Sequence, residues 1–303
     1  MTLPAPEFPF LDVPTLLETS QPVPRWGGWR LAGAGMVGAG VLVWFLISQA
    51  IGGDAAEPSF STLISVVLGT IAGAWVFNGA LTSREFRTQQ RQIDAIQELI
   101  QLHRWPEAAI QVQDFLSRPA RTAGARGQAM LFLAMVLARY HRFEEAITVY
   151  DHILDELEMD DAADHTVKLG RAMAMLRADN LLDADRAIAE LRRDMRTGAG
   201  GGELAALALV EIYRDVKTGH PVEALEMFDL RLADLRRYLG HRLGDVWALA
   251  ARAYDLLQRK PEAQAAFENA TVLLPLPELI RRYPEIAALK DKLSPAPAPA
   301  EVL

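Results

Sequence analysis

Apolar and polar positions divide the chain into two regimes. Leu31 to Ile51 and Phe60 to Leu81 each run about 20 residues without an Asp, Glu, Lys or Arg. At ~1.5 Å per residue, either run spans the ~30 Å hydrocarbon core of a bilayer. From Phe86 onward, apolar residues recur instead at three- and four-residue spacing, with few β-branched runs and no alternating stretch, the pattern of amphipathic helices. The expectation is an all-α chain in four parts. A Pro-rich leader (1–29) precedes a two-helix transmembrane hairpin (30–83), a helical domain (84–293) and a Pro/Ala-rich tail (294–303).

The first apolar run starts too late and runs too long for a cleaved signal peptide, and lies behind prolines rather than a short basic leader. Its glycines at 33, 35, 38 and 40 would each cost a water-soluble helix about 1 kcal/mol relative to Ala, yet suit membrane spans, where small residues let helices approach. Arg25 and Arg30 precede the first run and Arg84, Arg87 and Arg91 follow the second, whereas the connector 52–59 has no positive charge. Arg-rich short flanks stay cytoplasmic, so both termini are expected inside a cytoplasmic (inner) membrane. Two small-residue stripes, Ala34 with Gly38 and Ser65 with Gly69 and Gly73, suit packing of the hairpin on itself or a homodimer interface. No ionisable residue lies in either run, which removes the proton relay or counter-ion of a transporter.

The helical domain repeats. Trp105-Pro106-Glu107-Ala108, Phe143-Glu144-Glu145-Ala146, Leu181-Leu182-Asp183-Ala184, Pro221-Val222-Glu223-Ala224 and Lys260-Pro261-Glu262-Ala263 share one pattern, with alanines 38, 38, 40 and 39 residues apart. Four residues after each alanine stand Val112, Tyr150, Ile188, Phe228 and Phe267. A small residue for close approach followed one turn later by a large one predicts stacked helical hairpins. Pro106, Pro221 and Pro261 fit first-turn positions, where a missing N–H costs nothing. Leu276 to Leu293 reads as a closing helix broken near Pro284, and the first ~25 residues as disordered or polyproline-like.

These residues resemble the tetratricopeptide repeat (TPR) family over roughly 90–275, most closely at Arg142 to Tyr150 and at Lys260 to Phe267 with Pro275. The resemblance implies a right-handed α-solenoid of about five TPR-like hairpins whose first helices line a groove for a protein or peptide partner. Carried over residue by residue, it places Arg139, Arg177 and Lys217 in that groove, with Arg252, Met135, Met173 and Tyr213 beside them. An acidic, partly apolar segment would suit such a ladder, Arg pairing with carboxylates and Met packing adaptably. The same bases also suit the C-termini of their own helices, through the helix dipole. An N-terminal anchor bearing a cytoplasmic TPR array is similar in architecture to bacterial envelope-assembly proteins.

Charge and chemistry narrow the function. Two arginines against five acids give residues 1–83 a charge of −3 out of the chain's formal −8, leaving the remainder mildly acidic, against the basic excess of a nucleic-acid binder. With no cysteine, thiol catalysis and Cys-based zinc sites are excluded. His152 and His165 bracket an acidic run but lack helical zinc spacing, and the glycines at 198 and 200–202 are followed by Glu203 rather than Lys-Ser or Lys-Thr. No catalytic site, metal or cofactor is expected. The expectation is a membrane-anchored scaffold binding a protein partner. The rival is an integral accessory subunit of a transport, secretion or envelope-assembly complex.

Overall fold

The computed structural model describes residues 11–21, 87–120, 122–195 and 200–293. Both apolar runs, and with them Ala34, Gly38, Ser65, Gly69 and Gly73, lie outside the described residues. Among the described residues no helix is long and apolar enough to cross a membrane. The described chain is all helix and turn, with no strand. It forms two compact units, residues 1–136 and 137–303.

The first unit opens with α1 (Val13–Thr19), in a leader expected to be disordered. Asp12 caps it, its side chain accepting from the Thr15 N–H and hydroxyl, and Pro14 occupies the first turn. Val13, Leu16 and Leu17 share one helical face, and all three are buried. Pro14, one of the prolines that suggested an extended leader, instead helps start a helix. Residues 87–101 form α2, followed by α3 (Trp105–Leu116) and α4 (Ala123–Arg139); the boundary between units falls within α4. The leader is latched onto this unit by hydrogen bonds. Arg126, 2 % exposed, donates to the Leu17 carbonyl at 3.0 Å and to Ser20 Oγ at 3.2 Å. Ala120 N–H donates to the Ser20 carbonyl, and Thr19 Oγ1 to the Leu116 carbonyl. The guanidinium thus sits at the C-terminus of α1, where a cation is favoured.

The second unit continues through α5 (Phe143–Glu156), α6 (Asp161–Arg177), α7 (Leu181–Asp194), α8 (Gly201–Thr218), α9 (Pro221–Tyr238), α10 (Leu243–Leu256) and α11 (Lys260–Leu273). Each of α7, α9 and α11 packs against the helix before it, and α6, α8 and α10 touch one another in series. The chain ends with α12 (Leu276–Arg282), a 3₁₀ turn at Pro284–Ile286, and α13 (Ala287–Leu293).

One local device recurs five times along the described residues. His103, His141, Asp179, Gly219 and Gln258 adopt positive φ, between +58° and +80°, and each lies five residues before its repeat alanine. The next N–H in each case reaches back to the carbonyl five residues earlier, at 2.8–3.0 Å, the hydrogen bond that closes a helix through a left-handed residue. The five repeat alanines are at most 1 % exposed, and Val112, Tyr150, Ile188, Phe228 and Phe267 are at most 5 %. A buried small residue followed one turn later by a buried large one therefore recurs five times.

Two substitutions probe this packing in opposite directions. Gly170, on α6, faces the buried Tyr150 ring: an added Cβ would lie 2.7 Å from its Cζ and Oη. Helix propensity favours Gly170→Ala by about 1 kcal/mol, but overpacking against an immobile ring costs about 1–3 kcal/mol, so net destabilisation is expected. Gln258→Gly relieves a left-handed side chain and should stabilise by about 0.5–1 kcal/mol. Thermal unfolding of both variants reads the two signs, and a stabilising Gly170→Ala contradicts the packing.

Candidate partner-binding face

The residues placed in a groove by repeat register occupy the last turns of successive first helices: Met135 and Arg139 on α4, Met173 and Arg177 on α6, Tyr213 and Lys217 on α8, Arg252 on α10. Each of α4, α6 and α8 closes through its left-handed turn. In the second unit, Arg139, Arg177, Tyr213 and Lys217 converge on one further element. That element is the chain's own C-terminal segment.

The segment leaves α11 and reaches the start of the unit before it returns. Glu278 pairs with Arg139, 139 residues away. Tyr283 lies edge-on to Tyr213, with ring centroids 4.9 Å apart at 77°, and the Arg177 guanidinium sits 5.4 Å from the Tyr283 ring centre. Lys217 Nζ lies 3.4 Å from Glu285 and 2.8 Å from Asp179, and 5.6 Å from the Tyr213 ring centre. Further along, Lys292 pairs with Asp255 at 3.0 Å, and Arg252 pairs with the same carboxylate at 2.6 Å. Arg282 connects Glu278 to the buried Asp245, both at 3.0 Å.

The segment is apolar on its inner face. Leu279, Tyr283, Ile286 and Leu289 are all 0 % exposed. Cation, ring, ring and cation alternate through Arg177, Tyr283, Tyr213 and Lys217, an arrangement in which edge-to-face rings contribute about 0.5–1.5 kcal/mol beyond burial. Burial pushes the Tyr213 and Tyr283 hydroxyls well above the usual tyrosine range, so both rings stay neutral. Met173 is buried and Met135 is exposed.

Electrostatics at this face are uneven. Arg139, Lys217 and Arg252 each have a carboxylate partner, whereas Arg177 has none within ion-pair distance among the described residues. Its Nε is buried without a hydrogen-bond partner, as are Tyr283 Oη and Glu285 Oε2. His141 beside them is held below the ordinary imidazole value, first by burial and then by Arg177, Arg281 and Arg139.

The sequence singled out the first-helix residues but treated residues 276–293 only as a cap. Their alternation of Glu278, Arg282, Glu285 and Lys292 was the available signal. It acquires meaning only against Arg139, Asp245, Lys217 and Asp255, which are distant in the chain. His152, weighed as a metal ligand, lies 3.2 Å from Glu156, one turn along its own helix. Among the described residues no group of three or more His, Asp or Glu could hold a metal. No protein-family model matches the chain, and neither a curated protein nor a solved structure shows significant similarity to it.

Burial raises the Glu278 pKa, but Arg139 and Arg282 outweigh it and hold the carboxyl below its ordinary value. A depressed folded-state pKa stabilises fully above the unfolded value of about 4.3 and loses that contribution as pH falls through the folded value. Glu278→Gln should cost about 1–3 kcal/mol at neutral pH. In paired thermal melts its deficit relative to the parent chain should shrink as pH drops below about 4. A deficit that is independent of pH contradicts the ion pair.

Proposed function

We propose that the chain is a membrane-tethered scaffold. A right-handed TPR-like solenoid of about five hairpins, held at the cytoplasmic face of a bacterial inner membrane by a two-span hairpin, takes protein partners along its concave face. The observation that carries this reading is that one short, charged segment with an apolar inner face lies across the C-termini of the first helices α4, α6 and α8. A surface that holds such a segment in cis has the chemistry to hold one from a partner. Tethering adds local concentration without further contacts.

The docked leader supports the anchor half of the reading. Residues 11–21 and 116–126 are hydrogen-bonded within one unit, so they share one side of any membrane. The path between residues 21 and 87, which contains both apolar runs, must then cross an even number of times. Two crossings satisfy this, and one does not. Positive charge flanking both runs favours the cytoplasm as that shared side.

Two measurements test the proposal. Activity reporters fused before Met1 and after Leu303 should both respond on the cytoplasmic side; responses on opposite sides would break the two-span topology. Affinity capture from detergent extract should retain a protein partner with the parent chain and lose it, tenfold or more, with Arg177→Glu. Because Arg177 packs on the Tyr283 ring, a thermal melt accompanies the capture to establish that the variant is folded. Undiminished capture by a folded Arg177→Glu chain would contradict the groove.

A further inference from the structure

The C-terminal segment has the features of a ligand. It presents acid, ring and acid at Glu278, Tyr283 and Glu285 to Arg139, the Arg177–Tyr213 pair and Lys217 in turn. Its inner side chains Leu279 and Ile286 are fully buried. It is also short, flanked by Pro275 and interrupted by Pro284, so its two helices of seven residues each are held by this surface rather than by their own helical stability. Nor is the fit complete. Arg177 Nε, Tyr283 Oη and Glu285 Oε2 are buried without partners.

We propose that residues 276–286 are a resident pseudo-ligand of this face. The partner carries an acidic residue, an aromatic five positions later and a second acid two beyond that, and binds by displacing the segment. This inference deepens the scaffold reading by naming the chemistry of the partner and the step that admits it. A partner peptide that also offers an acceptor to Arg177 outcompetes the resident segment, because it satisfies a cation that the segment leaves without an acid. Displacement converts the face from closed to open, so the chain's apparent affinity for such a peptide is its intrinsic affinity reduced by the fraction of time the face is open.

The probe is a synthetic peptide of residues 275–287, added to the full-length chain in detergent and followed by fluorescence anisotropy. The double variant Glu278→Gln/Glu285→Gln weakens the resident segment without emptying the buried Tyr283 site. It should bind the peptide at least tenfold tighter than the parent chain, and adding Arg177→Glu should abolish the gain. Hydrogen exchange gives a second readout on the parent chain itself: saturating peptide should strip protection from residues 276–290.

Equal affinity of the two chains, or peptide binding that leaves 276–290 protected, overturns the displacement. Failure of both chains to bind the peptide overturns it as well. Those results leave capture through Arg177 standing on its own test. Conversely, displacement by the peptide together with capture that ignores Arg177→Glu sinks the scaffold reading and leaves the pseudo-ligand intact.

Discussion

Small buried alanines in the first turns of α7, α9 and α11 let each pack closely against the helix before it, and the second unit depends on that approach. Ala108, Ala146, Ala184, Ala224 and Ala263 are almost wholly buried, and a larger side chain at any of them would separate the helices by the width of its added atoms. The left-handed residue five positions earlier turns each chain back in the same way. Together they repeat one hairpin geometry, so the last turns of the first helices present equivalent positions. Only because those positions are equivalent can one segment meet Arg139, Arg177, Tyr213 and Lys217 in sequence.

Nature filled four of the five turn positions with residues other than glycine, at a cost of about 1 kcal/mol each. At least two of those side chains earn a role beyond the turn. Asp179 gives Lys217 its closest carboxylate, and His141 stands among the arginines at the open end of the segment. The turns are therefore part of the face as well as of the fold.

Much of this was legible in the sequence. The alanine period, the large residue one turn later and the acid before each alanine are local features, and local features survive without tertiary information. The break near Pro284 was legible for the same reason. The leader helix was missed because five other prolines outweighed Asp12, Pro14 and the Val13, Leu16, Leu17 spacing, although those residues spell a capped, one-faced helix. What holds it is Arg126, over a hundred residues away, which no local pattern announces. The course of the C-terminal segment was hidden for a related reason: charges that alternate along one element specify a path only when the charges they meet are known. The bases expected to await a partner lie toward the ends of the first helices, and three of them already have acids.

Because the chain contains no cysteine, the central placement can be tested on a clean background. The variant Arg139→Cys/Glu278→Cys, treated with a short bis-maleimide, should form an intramolecular cross-link rapidly in the folded monomer, and far more slowly in denaturant. Linkage in the folded chain no faster than in denaturant would mean that the C-terminal segment does not lie across the first-helix ends, and the account built on that contact would fall.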